Sequence, residues 1–464
     1  MSDTAYDVIV VGSGPGGYVT AIRASQLGFK TAVVEKSELG GVCLNWGCIP
    51  TKALLRSAEA YHMMTHAQNY GLTAEAGFDL AAIVKRSRDI AGQLSSGIKF
   101  LMGKHKIDVI TGFATLKPGE TAPIVSVEGQ DYTAKHVILA TGARARTIPQ
   151  AGLEPDGKYI WTAREAMVPQ DLPKRLLIIG SGAIGMEFAS FYNTFGSDVT
   201  VVEMVDRILP AEDEEISAMA EKAFKKQGIG IRTSTQVKSV TPGASEITAI
   251  LSKEGKDETL AFDNVILAIG IVGNTENMGL EALGVTIDRS HIDVDEYSFT
   301  GVPGLYAIGD VTTPPWLAHK ASHEGVICIE KIAGGTPHPL DAGAIPGCTY
   351  CHPQIASVGL TEAQAKAAGH DIKVGRFPFI GNGKAIALGE PEGLIKTVFD
   401  ASNGELLGAH MIGAEVTELI QGYTVARQLE TTEHELMETV FPHPTLSEMM
   451  HESVLEAYGR ALHI

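Results

Sequence analysis

The sequence has few cysteines, few basic residues and no long apolar run. Five cysteines in 464 residues are too few for a disulfide scaffold and fit an intracellular protein. Lys and Arg total 37 against 55 Asp and Glu, which argues against nucleic acid as a partner. No stretch approaches the roughly 20 apolar residues of a membrane span, and the N-terminus lacks the basic and apolar regions of a signal peptide. We therefore expect a cytoplasmic protein that binds neither membrane nor nucleic acid.

Glycine, by contrast, is abundant. The 51 glycines are about 11% of the chain, against an average of about 7%, and they bunch at the ends of apolar runs. Tight turns beside a ligand require such placement. A hydrophobic content of 44% with 20% charged residues is typical of a globular protein. Because 464 residues exceed one ordinary core, the length predicts two to four domains.

A glycine-rich motif near the N-terminus has the pattern of a dinucleotide-binding turn. It follows the all-apolar run Val8 to Val11, typical of a buried parallel strand, and precedes a helical pattern that ends at Gly28. Its spaced glycines are Gly12, Gly14 and Gly17. Side chains there would block, in that order, the tight turn, the approach of a pyrophosphate and the contact between helix and strand. Glu35, at the end of the next apolar run, is expected to accept hydrogen bonds from a ribose.

The same arrangement recurs later with the same spacing. The apolar run Leu176 to Ile179 leads into a second set of glycines, and Glu203 ends the following apolar run. This second set is Gly180, Gly182 and Gly185. The interval from the first glycine to the helix-ending glycine is 16 residues in both copies, and from the first glycine to the acid it is 23. We call residues 12–17 the first cradle and residues 180–185 the second cradle. Two cradles indicate two dinucleotides, most economically a flavin and a nicotinamide.

Glu203 favours NAD over NADP. A carboxylate at this position accepts hydrogen bonds from the ribose 2′-hydroxyl and repels a 2′-phosphate. Arg207 follows four residues later and weakens the preference slightly. NAD nevertheless remains favoured, since a phosphate pocket has basic residues in place of the acid.

Similar apolar strands follow each cradle, and the pattern changes near the C-terminus. The first cradle is followed by the run Val137 to Gly142 and the second by Val265 to Gly270, and a third such strand leads to Asp310. Beyond about residue 344, Asn403-Gly404 gives a strong hairpin signal between two apolar runs. Helical patterns then occupy segments near 414–428, 432–440 and 445–460. A separate α+β domain is expected there.

Cys43 and Cys48 lie five residues apart, shortly after the first cradle. In an ideal helix, Cα atoms at this spacing are about 8.6 Å apart. A disulfide tolerates at most about 7 Å. If the two cysteines pair, the helix is therefore distorted or has not yet begun, which Gly47 and Pro50 permit. Such a disulfide would be exchangeable. The alternative is two buried free thiols.

Cys348 and Cys351 have the spacing of a metal or redox pair. They lie at a predicted strand start, where residues three apart point to opposite faces, and no second ligand pair accompanies them. Buried or half-buried thiols are the better interpretation, and Cys328 is expected in a core. We predict no metal site.

These motifs identify a resemblance to the FAD-dependent pyridine nucleotide–disulfide oxidoreductases. The resemblance runs nearly end to end, and its specific parts are the cysteine motif Gly41 to Lys52 and the segment His443 to Glu448. It implies an α/β fold with two Rossmann-like dinucleotide-binding domains and a C-terminal α+β interface domain. The implied domains are residues 1–148 for FAD, 149–270 for NAD, 271–343 as a central domain completing the FAD site, and 344–464 for dimerisation.

The resemblance also assigns the cofactor contacts. The FAD site would comprise Gly12, Gly14, Gly17, Glu35, Lys52, Thr141, Gly142, Asp310 and Ala318. The NAD site would comprise Gly180, Gly182, Gly185, Glu187, Glu203 and Gly270. Lys52 follows Cys48 by four, so on a helix the two share a face, and the resemblance pairs Lys52 with Glu187. The alternative for Lys52 is a solvated surface residue.

The catalytic residues implied by the resemblance are Cys43, Cys48, His443 and Glu448. Cys43 would face an incoming dithiol and Cys48 the flavin, which would pass hydride to NAD⁺. His443 would take the proton of the substrate, and Glu448 would fix the imidazole tautomer. Thr445 to Glu448 is also a capping box pattern, so Glu448 has an alternative role at a helix N-terminus.

The resemblance extends to partners. It is strongest to the members that oxidise protein-bound dihydrolipoamide, which implies a homodimer with shared active sites. The partner would be a lipoyl-bearing acyltransferase or a glycine-cleavage carrier protein of a 2-oxoacid dehydrogenase-type complex. Another NAD(P)H-dependent flavoprotein disulfide reductase is the alternative, although the C-terminal residues 457–464 lack the cysteine pair that some of these carry. Ile271-Val272-Gly273 departs from the arginine and proline of many relatives and leaves the nicotinamide contacts there open.

Overall fold

The computed structural model describes residues 4–464, and the chain divides into two compact units. The first unit comprises the chain up to Ala53, Ala82–Arg146 and Gly270–Leu340. The second comprises Leu54–Ala81, Thr147–Ile269 and Asp341–Ile464. The first three residues, part of the N-terminal segment for which no signal peptide is predicted, lie outside the described part. Within residues 4–464, no helix has both the length and the apolar character needed to cross a bilayer.

A five-stranded parallel sheet forms the centre of the first unit. In spatial order its strands are Leu305–Ala307, His136–Leu139, Val8–Val11, Thr31–Glu35 and Asp108–Thr111. The central strand Val8–Val11 is buried along its whole length. A parallel strand covered on both faces has no polar side to present, which explains why its sequence is an uninterrupted apolar run. The third predicted strand, before Asp310, joins this same sheet at its edge.

Helices and smaller sheets complete the first unit. Its helices are Pro15–Gln26, Gly41–Trp46, Leu80–Lys104 and Ala318–Ile332, with 3₁₀ turns at Glu281–Leu283 and Gly309–Val311. Its further strands are Ala114–Lys117, Ile124–Val127, Gln130–Tyr132, Ala143–Ala145, Ile271–Gly273, Ile287–Asp288 and His291–Ile292. Helices Pro15–Gln26 and Ala318–Ile332 pack closely because glycine lies at the contact: a Cβ at Gly325 would collide with Thr20 Oγ1. Helix Cys48–Thr65 begins in the first unit and ends in the second.

The second unit contains another five-stranded parallel sheet. In spatial order its strands are Gly230–Arg232, Asp198–Val202, Arg175–Ile179, Asn264–Leu267 and Ile160–Trp161. An antiparallel sheet of Gln236–Pro242, Ile247–Lys253 and Lys256–Phe262 packs against it through a shared apolar core. The helices of this part are Ala163–Ala166, Ala183–Thr194 and Glu214–Lys226, with 3₁₀ turns at Ala67–Tyr70 and Pro149–Ala151.

The C-terminal part of the second unit is an antiparallel sheet with helices. Its strands, in spatial order, are Gly347–Thr349, Gln354–Gly359, Leu406–Gly413, Leu394–Asp400 and Ile372–Pro378. Its helices are Glu362–Ala367, Gly383–Leu388, Val416–Gln428, Glu433–Glu438 and Glu448–Ala457, with 3₁₀ turns at Ala342–Ala344 and Phe379–Gly381. The hairpin at Asn403-Gly404 and the three predicted C-terminal helices are confirmed. The predicted fold class, two Rossmann-like parts and a C-terminal α+β part, is confirmed as well.

Candidate active site

The first cradle has the backbone geometry that its glycines predict. Gly12 has φ +105°, and a Cβ there would collide with the carbonyl oxygen of Ala140 at the end of the neighbouring strand. A Cβ at Gly17 would collide with the carbonyl oxygen of Gly12. Gly14 has no atom within 4 Å of such a Cβ, so it faces open space. The outer glycines therefore close the turn, while the middle one keeps the front of the helix open to a ligand.

The second cradle repeats this geometry residue for residue. Gly180 has φ +99° and lies against the carbonyl oxygen of Ala268, and Gly185 lies against that of Gly180. Gly182, like Gly14, faces open space. In both cradles the helix begins directly after the middle glycine without a side-chain cap, which leaves its first N–H groups available to phosphate oxygens. Both cradles therefore fit a dinucleotide.

Glu35 and Glu203, each at the end of the strand that follows its cradle, accept hydrogen bonds from the serine of that cradle. Glu35 Oε2 accepts hydrogen bonds from Ser13 N (2.9 Å) and Ser13 Oγ (2.6 Å). Glu203 Oε2 accepts the matching pair from Ser181 N (3.0 Å) and Ser181 Oγ (2.7 Å). These serines were missed in the sequence. The signal was present, because a serine follows the first glycine in both motifs.

Glu35 and Glu203 still have acceptor capacity for a ribose. A carboxylate offers about four lone-pair directions. Each carboxylate uses two of these directions to accept from its serine and one to accept a backbone N–H. That N–H belongs to Ser37 for Glu35 (2.8 Å) and to Val205 for Glu203 (3.1 Å). Each acid therefore has a double role, tying the turn to the strand and presenting one further acceptor position.

Asp310 lies near the charged side chains Lys320 and Glu324 in the first unit. Burial raises the pKa of Asp310 above its ordinary value, and the nearby Lys320 ammonium opposes the rise. Among the described residues, none donates a hydrogen bond to the Asp310 carboxylate. Lys320, only 5% exposed, forms an ion pair with Glu324 at 2.7 Å. An acceptor that the chain leaves without a donor suits the hydroxyl groups of a ribityl chain, and Lys320 and Glu324 are supporting residues that the sequence did not indicate.

The remaining predicted cofactor residues lie at strand and helix ends. Ala318 begins helix Ala318–Ile332, which has no side-chain cap and so offers free N–H groups. Thr141 donates its hydroxyl to the carbonyl of Asn274 (2.8 Å), and Gly142 has φ +66° with open space beside it. Gly270, predicted to contact NAD, falls in the first unit, where its carbonyl accepts a hydrogen bond from Arg146 N (2.9 Å).

The departure at Ile271–Gly273 forms a short strand. It pairs antiparallel with Ala143–Ala145, so its backbone is held whatever its side chains are. Its difference from the sequences of many relatives therefore affects side-chain contacts only.

Cys43 and Cys48 lie side by side across a break in the helix. Helix Gly41–Trp46 ends at Gly47, whose φ of −149° and ψ of −117° are far from helical, and the next helix begins at Cys48. The two Sγ atoms are 2.6 Å apart. The hydrogen bond with Cys48 and burial raise the pKa of the Cys43 thiol, while the positive charge of Lys52 opposes the rise. The distortion that pairing requires is present, and it falls at the predicted glycine.

Lys52 lies one helical turn after Cys48 and acts electrostatically on Cys43. Glu187 is 5% exposed on helix Ala183–Thr194, where it accepts a hydrogen bond from Tyr350 N (3.0 Å). A buried carboxylate at this position restrains the segment that carries Tyr350. The pairing of Lys52 with Glu187 stays a prediction.

His443 and Glu448 are brought together by a single hydrogen bond. His443 Nδ1 lies 2.9 Å from Glu448 Oε1, and the imidazole is 80% exposed in the single chain. Glu448 Oε2 accepts the backbone N–H of Thr445 (2.8 Å). Burial tends to raise the pKa of Glu448, but the hydrogen bond from Thr445 and, to a smaller extent, that from His443 lower it below its ordinary value. Glu448 therefore stays ionised and leaves His443 Nε2 directed elsewhere.

Only one of the two hydrogen bonds of a capping box is formed between Thr445 and Glu448. Glu448 does accept the N–H of Thr445, but Thr445 Oγ1 donates to the carbonyl of Pro442 and also contacts the hydroxyl of Ser447 (2.8 Å), the residue before the helix. Helix Glu448–Ala457 begins at Glu448 itself. The contacts of this carboxylate with Thr445 N and with His443 Nδ1 are therefore present together. The peptide bond between His443 and Pro444 is cis, which the sequence left open.

The three other cysteines are thiols of the protein interior. Cys328 is fully buried in the core of the first unit. Cys351 is buried and Cys348 half-buried, each beside a backbone carbonyl oxygen. Residues 4–464 contain no cluster of three or more His, Cys, Asp or Glu side chains suited to hold a metal ion.

Comparison with protein families matches the chain in two parts. Residues 6–325 match the pyridine nucleotide-disulphide oxidoreductase family, and residues 345–454 match the dimerisation domain of the same family. The two matches together span nearly the whole chain.

Individual relatives and solved structures agree with these matches. The chain is 58% identical to the dihydrolipoyl dehydrogenase of Rhizobium etli and 57% identical to that of Zymomonas mobilis, in each case over 99% of both chains. Its fold is similar to that of LpdA from Mycobacterium tuberculosis, with a TM-score of 0.90 at 28% identity over 97% of this chain and 99% of that one. The flavoprotein disulfide reductase RclA from Escherichia coli follows with a TM-score of 0.86 at 25% identity, over 97% of this chain and 99% of that one.

Proposed function

The chain belongs to the pyridine nucleotide-disulphide oxidoreductase family, and from that premise we propose that it oxidises protein-bound dihydrolipoamide to lipoamide while NAD⁺ is reduced to NADH. It is an oxidoreductase, and its cofactors are FAD and NAD. The observation that carries the proposal is the pair of Cys43 and Cys48 sulfurs, 2.6 Å apart across the helix break. The names of the relatives, dihydrolipoyl dehydrogenases, support this substrate.

In this proposal each cradle holds one cofactor. The first cradle, with Glu35, Lys52, Thr141, Gly142, Asp310 and Ala318, would hold FAD. The second cradle, with Glu187, Glu203 and Gly270, would hold NAD. When bound, FAD and NAD supply the hydride-accepting chemistry that returns the reduced cysteine pair to the disulfide.

The thiol–disulfide exchange itself requires the cysteine pair and no cofactor. One substrate thiolate attacks Cys43 Sγ, which breaks the disulfide, forms a mixed disulfide and releases Cys48 as a thiolate. The second substrate thiolate then attacks the substrate sulfur bound to Cys43, which closes lipoamide and frees Cys43. The substrate loses two electrons, and the cysteine pair gains them.

His443 would serve as the base for this exchange. Its Nδ1 is committed to Glu448, so Nε2 is the atom that receives the substrate proton. The ionised Glu448 stabilises the imidazolium that forms. A base held by a carboxylate on one nitrogen keeps the other nitrogen available, which the exchange needs at its first step.

We propose further that the protein acts as a homodimer. The match of residues 345–454 to a dimerisation domain supports this. In the proposed arrangement, Cys43 and Cys48 of one protomer work with His443 of its partner. The lipoyl group would arrive on a carrier, either an acyltransferase of a 2-oxoacid dehydrogenase-type complex or the carrier protein of glycine cleavage.

A substrate comparison tests the proposed function. Purified protein is assayed with dihydrolipoamide and NAD⁺, and separately with oxidised glutathione and NADPH. We expect turnover with the first pair and at most a hundredth of that rate with the second. Cys43→Ser serves as the control, since it keeps the fold and removes the sulfur that substrate attacks. Equal or greater turnover with glutathione would assign the protein to a different disulfide reductase activity.

A further inference from the structure

The break between the two cysteines has its own support in the first unit. Helix Gly41–Trp46 has only six residues, and the carbonyl groups at its end lack partners within the helix. Asn45 is almost fully buried there, and its side-chain amide donates to the carbonyls of Leu39 and Gly41, both at 3.0 Å. The carbonyl of Asn45 itself is bonded by a side chain from another helix.

That side chain is Arg88, from helix Leu80–Lys104. Its guanidinium donates to the carbonyl oxygen of Asn45, and its central carbon lies 4.1 Å from the centre of the Trp46 ring. A planar, permanently charged guanidinium is suited to both contacts at once, whereas an ammonium is not. Trp46 is held from its other end by Glu38, which accepts from the indole N–H at 3.4 Å. Two successive residues between the cysteines are therefore fixed by one arginine.

The neighbouring Arg86 gives a natural comparison. It belongs to the same helix and also donates to a backbone carbonyl, that of Ala53, at 2.9 Å. Ala53 lies five residues beyond Cys48, inside the second helix and outside the break. Only Arg88, of these two, holds the segment that joins the cysteines.

The bend at Asn45–Gly47 is what brings the sulfurs together. A continuous helix would separate the Cα atoms of Cys43 and Cys48 by about 8.6 Å, too far for a disulfide. A contact shifts the equilibrium between the disulfide and dithiol states only by the difference between its free energies in those two states. Once the disulfide is reduced, no covalent bond restrains the bend, and without Arg88 the segment gains freedom that disulfide formation must remove again.

We propose that Arg88, stacked on Trp46, is a positioning residue that favours the disulfide state of the Cys43–Cys48 pair. The proposal rests on the proposed function, in that it assumes that the pair alternates between disulfide and dithiol. It assigns to Arg88 no contact with substrate. Its effect is on the equilibrium of the pair, which is measured apart from turnover.

The test is a redox titration of the holoprotein without NAD. The protein is equilibrated anaerobically with mixtures of oxidised and reduced dithiothreitol, quenched in acid, unfolded and labelled with a maleimide–polyethylene glycol. As the pair oxidises, two protein thiols lose two electrons and two protons to oxidised dithiothreitol. Three labels then mark the disulfide state and five the dithiol state, because Cys328, Cys348 and Cys351 are labelled in both.

We expect Arg88→Gln to require about a tenfold higher ratio of oxidised to reduced dithiothreitol at the midpoint, a shift of about 30 mV for a two-electron couple. Trp46→Leu, which removes the ring and leaves the arginine, is expected to shift the midpoint in the same direction. Arg88→Lys restores the charge without the planar contact and should shift it nearly as far as Arg88→Gln. Arg86→Gln is the matched control and should keep the native midpoint.

Two outcomes distinguish a failure of the role of Arg88 from a failure of the proposed function. Native midpoints in both Arg88→Gln and Trp46→Leu, with native flavin content, would overturn the role of Arg88 while leaving the proposed function intact. Five labels in the native protein at every ratio would mean that no disulfide forms, and the proposed function would fall with it. If Arg88→Gln does not fold, Trp46→Leu decides alone, with a native midpoint counting against the inference.

Discussion

Individual side chains in this protein carry separable tasks, and His443 is the one whose loss should be most selective. His443→Gln removes the proposed base and no proposed cofactor contact, so dithiol oxidation should fall by about 10²- to 10⁴-fold. Electron transfer from NADH to a dye, which needs no proton from a substrate thiol, should stay near the native rate. Both rates are measured by absorbance on one preparation. His434→Gln is the control, since His434 also lies beside a glutamate, Glu438 at 3.4 Å, yet has no proposed role. Equal loss of both activities in His443→Gln would indicate a folding role.

Glu203 is the residue we propose to select NAD over NADP. Glu203→Ala removes the acceptor proposed for the ribose 2′-hydroxyl and the charge that repels a 2′-phosphate. A hydrogen bond to a charged group contributes about 1.5–3 kcal/mol, so KM for NAD⁺ should rise at least tenfold and the preference over NADP⁺ should shrink. Steady-state kinetics with both nucleotides measure this. Glu35→Ala, the equivalent change in the first cradle, should leave KM for NAD⁺ unchanged and weaken flavin retention. An unaltered NAD⁺/NADP⁺ ratio in Glu203→Ala would contradict the assignment.

At the scale of structural elements, the turn from strand to helix in each cradle depends on three glycines with different tasks. Gly182 faces open space, so Gly182→Val should fold normally and obstruct only the pyrophosphate, raising KM for NAD⁺ at least tenfold. Gly185 touches the carbonyl oxygen of Gly180, so Gly185→Val should lower the unfolding temperature. Thermal unfolding and NAD⁺ kinetics on both variants test the distinction. Loss of thermal stability in Gly182→Val would show that its surroundings are closed.

A buried ion cluster joins three elements of the second unit. Lys396 on strand Leu394–Asp400 is 3% exposed and contacts three carboxylates, those of Asp213 (2.8 Å), Glu215 (3.1 Å) and Glu362 (2.8 Å). Asp213 also caps helix Glu214–Lys226, accepting from the backbone N–H of Glu215. The cluster thus ties the N-terminal end of helix Glu214–Lys226 to the C-terminal sheet within the same unit.

Lys396→Met should destabilise the protein in a pH-dependent way. Removing one partner of a buried ion pair costs about 3–5 kcal/mol. Burial tends to raise the pKa of Glu362, but hydrogen bonds from Lys366 and Lys396 lower it to about 2. Lys396 likewise lowers the pKa of Asp213 against the effect of burial. Stability from such lowered carboxylates is complete above their unfolded pKa of about 4 and is lost as pH falls toward 2. The difference between native protein and variant should therefore be large at pH 7 and smaller at pH 3.

Urea unfolding at the two pH values measures this difference. Lys366→Met is the matched control, because Lys366 pairs with the same Glu362 at 2.7 Å from a site 60% exposed. Exposed pairs contribute about 0–1 kcal/mol, so this variant should unfold nearly as the native protein does. A difference between native protein and Lys396→Met that does not change between pH 7 and pH 3 would exclude the ionic explanation.

At the scale of the whole molecule, the proposed dimer makes each active site depend on two chains. Cys48→Ser and His443→Ala are each expected to be inactive with dihydrolipoamide as homodimers. When both are co-expressed with different affinity tags and the heterodimer is purified, one of its two sites contains only native catalytic residues. About half of the native activity per dimer should then return. Heterodimers no more active than either parent would mean that the active sites are not shared between chains.

The sequence by itself determined the two dinucleotide folds, and it indicated Cys43 and Cys48 as the proposed site of the chemistry. Uninterrupted apolar runs fixed the parallel strands, and the repeated spacing of glycines fixed the turns, because both are local properties of the backbone and of burial. The cysteine spacing likewise required a distorted helix if the two cysteines pair, and the structure has the distortion at Gly47. Patterns that depend on near neighbours in the chain were therefore readable without a structure.

Only the tertiary structure decided contacts between residues distant in sequence. Arg88 reaches the carbonyl of Asn45 across 43 positions, and Lys396 reaches Asp213 across 183. In the sequence Arg88 is one charge on a helical pattern, and Lys396 is a polar interruption of an apolar strand. Which acid a lysine meets, and which carbonyl an arginine holds, depends on how helices and sheets pack, and that packing is set by the summed burial of many side chains and by no local signal.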